Sequence, residues 1–300
     1  HAKGAVLKNF DDIVKIINDN NVDMFKLLVN LYPNVCDGDS ISRMVCFDET
    51  SLEMLGEILT VDKLKVSEVL VDVRGKPDHV KLVIEKCKDQ LKICPEITNI
   101  VSSYILDKNT TLECYNLLIE LLGGIDLLLN YGSVITDSSD EVATAYLENR
   151  SNLPINIVGQ ATVAGKKKLV ECMLKKGFSS NEKCSWDYSE NRYPMSVAFG
   201  TFNYDIAKLL VDYGGKIGTQ IDVIAKAGRI DLVKLIFVSV KNYSDESIQE
   251  RIRAGLSACF VSDMKDTHFE CARLFIEAGT TTDGLKKEQI KRYVTHFNPE

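Results

Sequence analysis

The side chains in this 300-residue chain best able to do chemistry are its nine cysteines and four histidines. A thiol beside an imidazole can form a nucleophile–base pair, and thiols at Cys-x-x-Cys spacing can hold zinc. The cysteines stand at 36, 46, 87, 94, 114, 172, 184, 259 and 271. That is an odd number with no Cys-x-x-Cys, which argues against both a zinc site and a complete disulfide framework. His79, His268 and His296 are far apart in sequence. The one pairing that sequence places together is His268 with Cys259 and Cys271. A catalytic thiol there would need an electropositive setting to lower its pKa, so the expected reading is an exposed turn histidine with two core cysteines. Cys114, Cys172 and Cys271 are expected to share one apolar position of a recurring helix, as small hydrophobes.

Other candidates are thinner. Asp37-Gly-Asp-Ser40 has the start of a calcium loop but lacks its third ligand position and closing glutamate. Gly123-Gly124 follows an apolar run and is expected to stop a helix, not to cradle phosphate. Lys166-Lys167-Lys168 is expected to be a solvated turn. No dinucleotide, Walker, zinc-protease or kinase signature is present. These observations predict no catalytic residues, no metal and no cofactor.

The elements that must position any functional residue repeat along the chain. Lys168-Leu-Val-Glu-Cys-Met-Leu-Lys-Lys-Gly177, Asp205-Ile-Ala-Lys-Leu-Leu-Val-Asp-Tyr-Gly214, Asp231-Leu-Val-Lys-Leu-Ile and Glu270-Cys-Ala-Arg-Leu-Phe-Ile-Glu-Ala-Gly279 align in one frame. Apolar residues at i, i+3, i+4 and i+7, such as Ile206, Leu209, Leu210 and Tyr213, predict one face of a short amphipathic helix. The glycine at a fixed offset suits the left-handed residue after a helix. Weaker copies begin at Asp23, Asp78 and Glu113. Starts at 23, 78, 113, 168, 205, 231 and 270 leave two gaps of 55 residues, where worn helices are expected near Ser51 to Thr60 and Asp140 to Asn149. A second element precedes two of the helices, at Leu153-Pro-Ile-Asn-Ile-Val158 and Tyr193-Pro-Met-Ser-Val-Ala198, with proline suited to a first helical turn.

Together these pieces resemble the ankyrin repeat. The match lies at Pro154, Pro194, Ala198, Asp205, Leu209, Leu210 and Gly214; the threonine and histidine of the family motif are replaced by Leu153 and Asn156, and by Tyr193 and Ser196. The resemblance covers about residues 150 to 284 and is faint before them. It implies an all-α, ankyrin-like helical-repeat solenoid with irregular fingers, about seven or eight helix pairs long. It also implies binding of a partner protein on a concave and finger-lined surface. Residues 1–150 are expected to be highly degenerate repeats, 151–284 recognisable repeats, and 285–300 a capping helix rich in Lys286, Lys287, Lys291 and Arg292. The alternative is a separate catalytic or adaptor domain in 1–150.

From Leu153 to Tyr193 the repeat covers 40 residues against about 33 for the family. The extra length falls in a finger that holds Trp186, the only tryptophan, with Tyr188, Arg192 and Tyr193. Such residue types are enriched at interface hot spots. Trp186 either meets a partner there or folds back over the adjoining helix. Tyr243 in the next finger and Arg251 beyond it are further partner-binding candidates.

Charge is uneven. Residues 1–150 carry 15 Lys plus Arg against 25 Asp plus Glu, and residues 151–300 carry 21 against 18. An acidic half repels phosphate backbones, which disfavours nucleic acid as a partner. No apolar run approaches the roughly 20 residues of a membrane span. Free cysteines point to a reducing, cytoplasmic setting, and a monomer is expected over an oligomer. The worn repeats suggest by style an effector placed in a host cytosol. His1-Ala2-Lys3-Gly4 lacks an initiator methionine and is expected to be either a remnant of an added leader or a truncation point.

Overall fold

The structure, a computed structural model, describes residues 11–32, 38–44, 47–123, 127–184, 193–216, 220–240, 246–260, 264–283 and 285–297. The described residues fold into α-helices joined by turns, with one 3-10 turn at Phe47–Glu49. Two compact units divide the chain, residues 1–146 and 147–300.

In the first unit, α1 (Asp11–Asn18) packs on α2 (Val22–Leu31), and α3 (Gly38–Met44) precedes α4 (Leu52–Ile58). Then α5 (Val66–Asp72) pairs with α6 (Pro77–Lys92), and α7 (Ile97–Ile105) pairs with α8 (Leu112–Leu121). α9 (Tyr131–Asp137) and α10 (Asp140–Glu148) follow. The second unit pairs α11 (Ile157–Val163) with α12 (Lys167–Lys175), α13 (Pro194–Gly200) with α14 (Tyr204–Asp212), α15 (Ile221–Lys226) with α16 (Ile230–Ser239), and α17 (Glu246–Ala258) with α18 (Asp266–Glu277). α19 (Lys287–Phe297) ends the chain. Within each unit most pairs also pack on the next like to like. α2 meets α4, α4 meets α6 and α6 meets α8; in the second unit α12, α14, α16 and α18 do the same, as do α11, α13, α15 and α17.

The seven segments aligned by sequence fall on α2, α6, α8, α12, α14, α16 and α18, all second members of a pair. α4 and α10 occupy the two long gaps. The buried stripe, however, is rotated from the predicted one. Leu169, Val170 and Met173, then Ile206, Ala207 and Leu210, then Leu232, Val233 and Ile236, then Cys271, Ala272 and Phe275 are buried, each triplet at the same three offsets. Tyr213 is 42% exposed, because a helix with neighbours on two sides buries i+1 along with i and i+4, which turns the stripe away from i+7. The same rotation leaves Cys172, one turn further along, half-buried while Cys114 and Cys271 are buried; the three do not share a position. Pro194 is the first residue of α13, whereas Pro154 lies ahead of α11 in a turn closed by the Ile157 N–H to the Pro154 carbonyl at 3.0 Å.

One turn geometry recurs within the pairs. A left-handed residue, Asn20, Gly165, Phe202 or Gly228, ends the first helix. The next residue, Asn21, Lys166, Asn203 or Arg229, has φ between −85° and −82° and ψ between 79° and 89° and starts the second. The two N–H groups bond back to the first helix, as in Gly165 to Thr162 at 3.0 Å and Lys166 to Ala161 at 2.9 Å, so carbonyls that would be orphaned at the helix end are satisfied. Gly123, Gly177, Gly214 and Gly279, the predicted stops, have φ of 65° to 89° after the second helices.

Successive turns are then bonded to one another. The Ser51 N–H donates to Asn20 Oδ1 at 2.6 Å. His79 Nε2 donates to the Thr50 carbonyl at 2.9 Å, and Arg74 reaches Ser103 at 2.7 Å and Asp107 at 3.4 Å. Ser139 Oγ donates to the Thr110 carbonyl at 3.2 Å. Arg229 Nη1 donates to the Phe202 carbonyl at 3.1 Å, and His268 Nε2 to that of Lys226 at 3.0 Å. Most of these bonds join residues 27 to 33 apart in sequence, and the last joins residues 42 apart. The second unit adds a parallel set beyond its second helices: Ser180 Oγ to the Tyr213 carbonyl, Asn181 Nδ2 to that of Gly214, and the Lys216 N–H to Asn181 Oδ1.

Arg229 gives the ladder a measurable rung. Its guanidinium also grips Asp231 through two bonds, Nε to Oδ1 at 3.0 Å and Nη2 to Oδ2 at 2.7 Å. Losing both contacts in Arg229→Ala is expected to cost about 1–2 kcal/mol at neutral pH, read by urea denaturation. The hydrogen bonds from Arg229 hold the Asp231 carboxyl below the usual carboxylate range. A lowered folded pKa contributes stability above the unfolded value and loses it as pH falls through the folded value. The Arg229→Ala penalty is therefore expected to shrink in acid. Gly214→Ala, at φ 76° with nothing within 4 Å of the added carbon, is expected to cost about 1–2 kcal/mol from backbone conformation alone.

Candidate interaction surface

Trp186, Tyr188, Arg192 and Tyr243 lie outside the described residues. Tyr193 precedes α13 in extended backbone, φ −93° and ψ 154°, and is 38% exposed. Arg251 is half-buried on α17, beside the buried Ile252. The two stand on different helix pairs, with α15 packed against both α13 and α17.

The histidine–cysteine candidate resolves into scaffold. His268 is buried, not an exposed turn residue. Its Nδ1 accepts the Lys265 N–H at 3.0 Å and its Nε2 donates to the Lys226 carbonyl, so both ring nitrogens are committed to backbone and the tautomer is set by them. Cys259 and Cys271 are buried. Burial pushes both thiols up, Cys271 to about 12, the opposite of an activated nucleophile. Cys184 lies against Gly159 of α11, and burial raises it to about 11. Among the described residues, no three His, Cys, Asp or Glu side chains converge to hold a metal, and no helix is long and apolar enough to cross a membrane.

A cavity opens in the first unit among residues that form no sequence motif. It has a volume of about 820 Å³ and is lined by Ser42 of α3, by Lys65, Ser67, Glu68, Val71 and Asp72 at the start of and along α5, and by Glu96 and Ile100 at the start of α7. α5 packs on both α3 and α7, so three first helices form its walls and floor. Lys65, Glu68 and Asp72 share a face at i, i+3 and i+7, with Val71 beside them. Ser42 is buried and fixed: its hydroxyl donates to the Gly38 carbonyl at 2.7 Å and accepts the Lys65 N–H at 2.9 Å. Lys65 Nζ lies 2.8 Å from Asp39 and 3.5 Å from Glu68. The Cys94 thiol donates to Glu96 at 3.1 Å and so lowers that carboxyl below its ordinary range. Glu68, Asp72 and Glu96, beside the apolar carbon of Val71 and Ile100, can seat a cationic group that also carries apolar surface. The charge surplus of the first half was the sequence signal for this groove.

No protein-family model matches the chain, and no curated protein matches it.

Burial sorts the thiols for a direct check. Iodoacetamide labelling of the folded chain with peptide mapping is expected to modify Cys94 and Cys172 ahead of Cys184, Cys259 and Cys271, which should react after unfolding. Rapid labelling of Cys259 in the folded chain would restore the nucleophile reading.

Proposed function

We propose that this chain is a degenerate ankyrin-type helical-repeat protein that works without catalysis, by binding a partner protein on its surface. The observation that supports this reading is a helix pair that recurs along the chain, with one turn geometry in four of the pairs and turn-to-turn bonds that mostly join residues about 30 apart within each unit. A repeat array has neighbours only before and after each pair, so its exposed helices and loops form an extended binding surface. The first unit follows the same packing rule as the second, which supports degenerate repeats there over a separate catalytic domain. Its open groove is built from first helices, the elements that face the partner in an ankyrin repeat. The host-cytosol effector role and monomeric state belong to the same proposal; the free thiols favour a reducing compartment.

Affinity capture from cell lysate tests it, with wild type compared to a Tyr193→Ala, Arg251→Ala double variant and a Glu68→Gln, Glu96→Gln double variant. A stoichiometric protein partner is expected, retained at least several-fold less by one of the two. Absence of any captured protein would overturn the reading.

A further inference from the structure

We infer that the α3–α5–α7 groove is the seat of a short arginine-bearing peptide segment of the partner. This rests on the protein-binding reading and adds the chemistry of the ligand. The groove is neither flat nor uniformly polar. Val71 is 38% exposed and the buried Ile100 lines the same groove, so an aliphatic side chain has a surface to cover. Glu68, Asp72 and Glu96 ring that surface. The unit around it carries 24 Asp plus Glu against 14 Lys plus Arg in residues 1–146, a field that draws in cations. Adjacent packed helices lie about 8–10 Å apart, so a path from α3 across α5 to α7 is about 20 Å. An extended chain rises about 3.3 Å per residue, which makes that path roughly six residues long. Alternating side chains of such a segment point to opposite faces, so basic and apolar residues reach different walls.

Lys65 shows how the groove handles a cation. Its ammonium bridges Asp39 and Glu68 with all three side chains about 40% exposed, a setting in which ion pairs are weak and exchangeable. A guanidinium presents a planar fork that bonds a carboxylate through two N–H groups and lays its face on apolar carbon, which an ammonium cannot do. An incoming arginine therefore competes with Lys65 for Glu68. Removing Lys65 should strengthen binding while removing the carboxylates weakens it, a sign reversal that general destabilisation of the fold would not produce.

The test uses the full chain and a fluorescein-labelled Arg-Leu-Arg-Leu-Arg-Leu peptide, with a Glu-Leu peptide of the same length as control, read by fluorescence anisotropy. Saturable binding of the arginine peptide alone is expected, weakened about fivefold or more by Glu68→Gln with Glu96→Gln and tightened about threefold by Lys65→Ala. Raising salt from about 0.01 M to about 1 M should weaken it further, since exposed charges are screened. If circular dichroism shows the double variant misfolded, the Lys65→Ala shift decides. No saturable binding, equal binding of the glutamate peptide, or unchanged affinity in the folded variants overturns the inference. A partner captured by a protein that fails this test leaves the interaction-module reading standing without this groove.

Discussion

The bond on which the rest of this structure depends runs from the turn of one helix pair to the turn of the next. A helix of six to ten residues is too short to be stable in water by itself, and most second helices here are of that length. Packing on neighbours supplies the stability, and packing needs each pair held at a fixed height and angle. Asn20, Thr50, Thr110, Phe202 and Lys226 offer oxygens at one turn; Ser51, His79, Ser139, Arg229 and His268 bring donors from the turn that follows. A backbone carbonyl left in such a place without a partner costs about 1–3 kcal/mol, so each rung both satisfies a turn and sets the next pair's position.

The rungs are chemically diverse, and that explains what the sequence could and could not reveal. Second helices were legible because one hydrophobic frame with a terminal glycine recurs, and the gap lengths even located α4 and α10. First helices such as α5 and α15 are seven and six residues long, too short for a periodic signal, and emerged only from packing. The ladder was invisible because asparagine, histidine, arginine and serine take the same role at different steps. His268 is the sharpest case: it is a buried staple between turns, with both ring nitrogens bonded to backbone. The stripe rotation has a similar cause, since neighbours on two sides of a helix are a property of the tertiary packing and not of one segment.

The groove of the first unit gathers side chains from residues 42 to 100, across three elements, so no local motif could announce it. Charge imbalance was the one trace it left in the sequence. The segment around Trp186 was legible for the opposite reason, because hot-spot residue types cluster locally there in the sequence. Burial withdraws Cys184, Cys259 and Cys271 from solvent and raises their pKa values by desolvation.

Native-state hydrogen exchange on wild type and Arg229→Ala tests most directly whether stability passes from pair to pair through the turn bonds. Pairwise coupling predicts faster exchange in α13 through α16, on either side of the lost Phe202 rung, with α1 through α8 unchanged. A uniform rise across all helices would contradict it and show a single cooperative core.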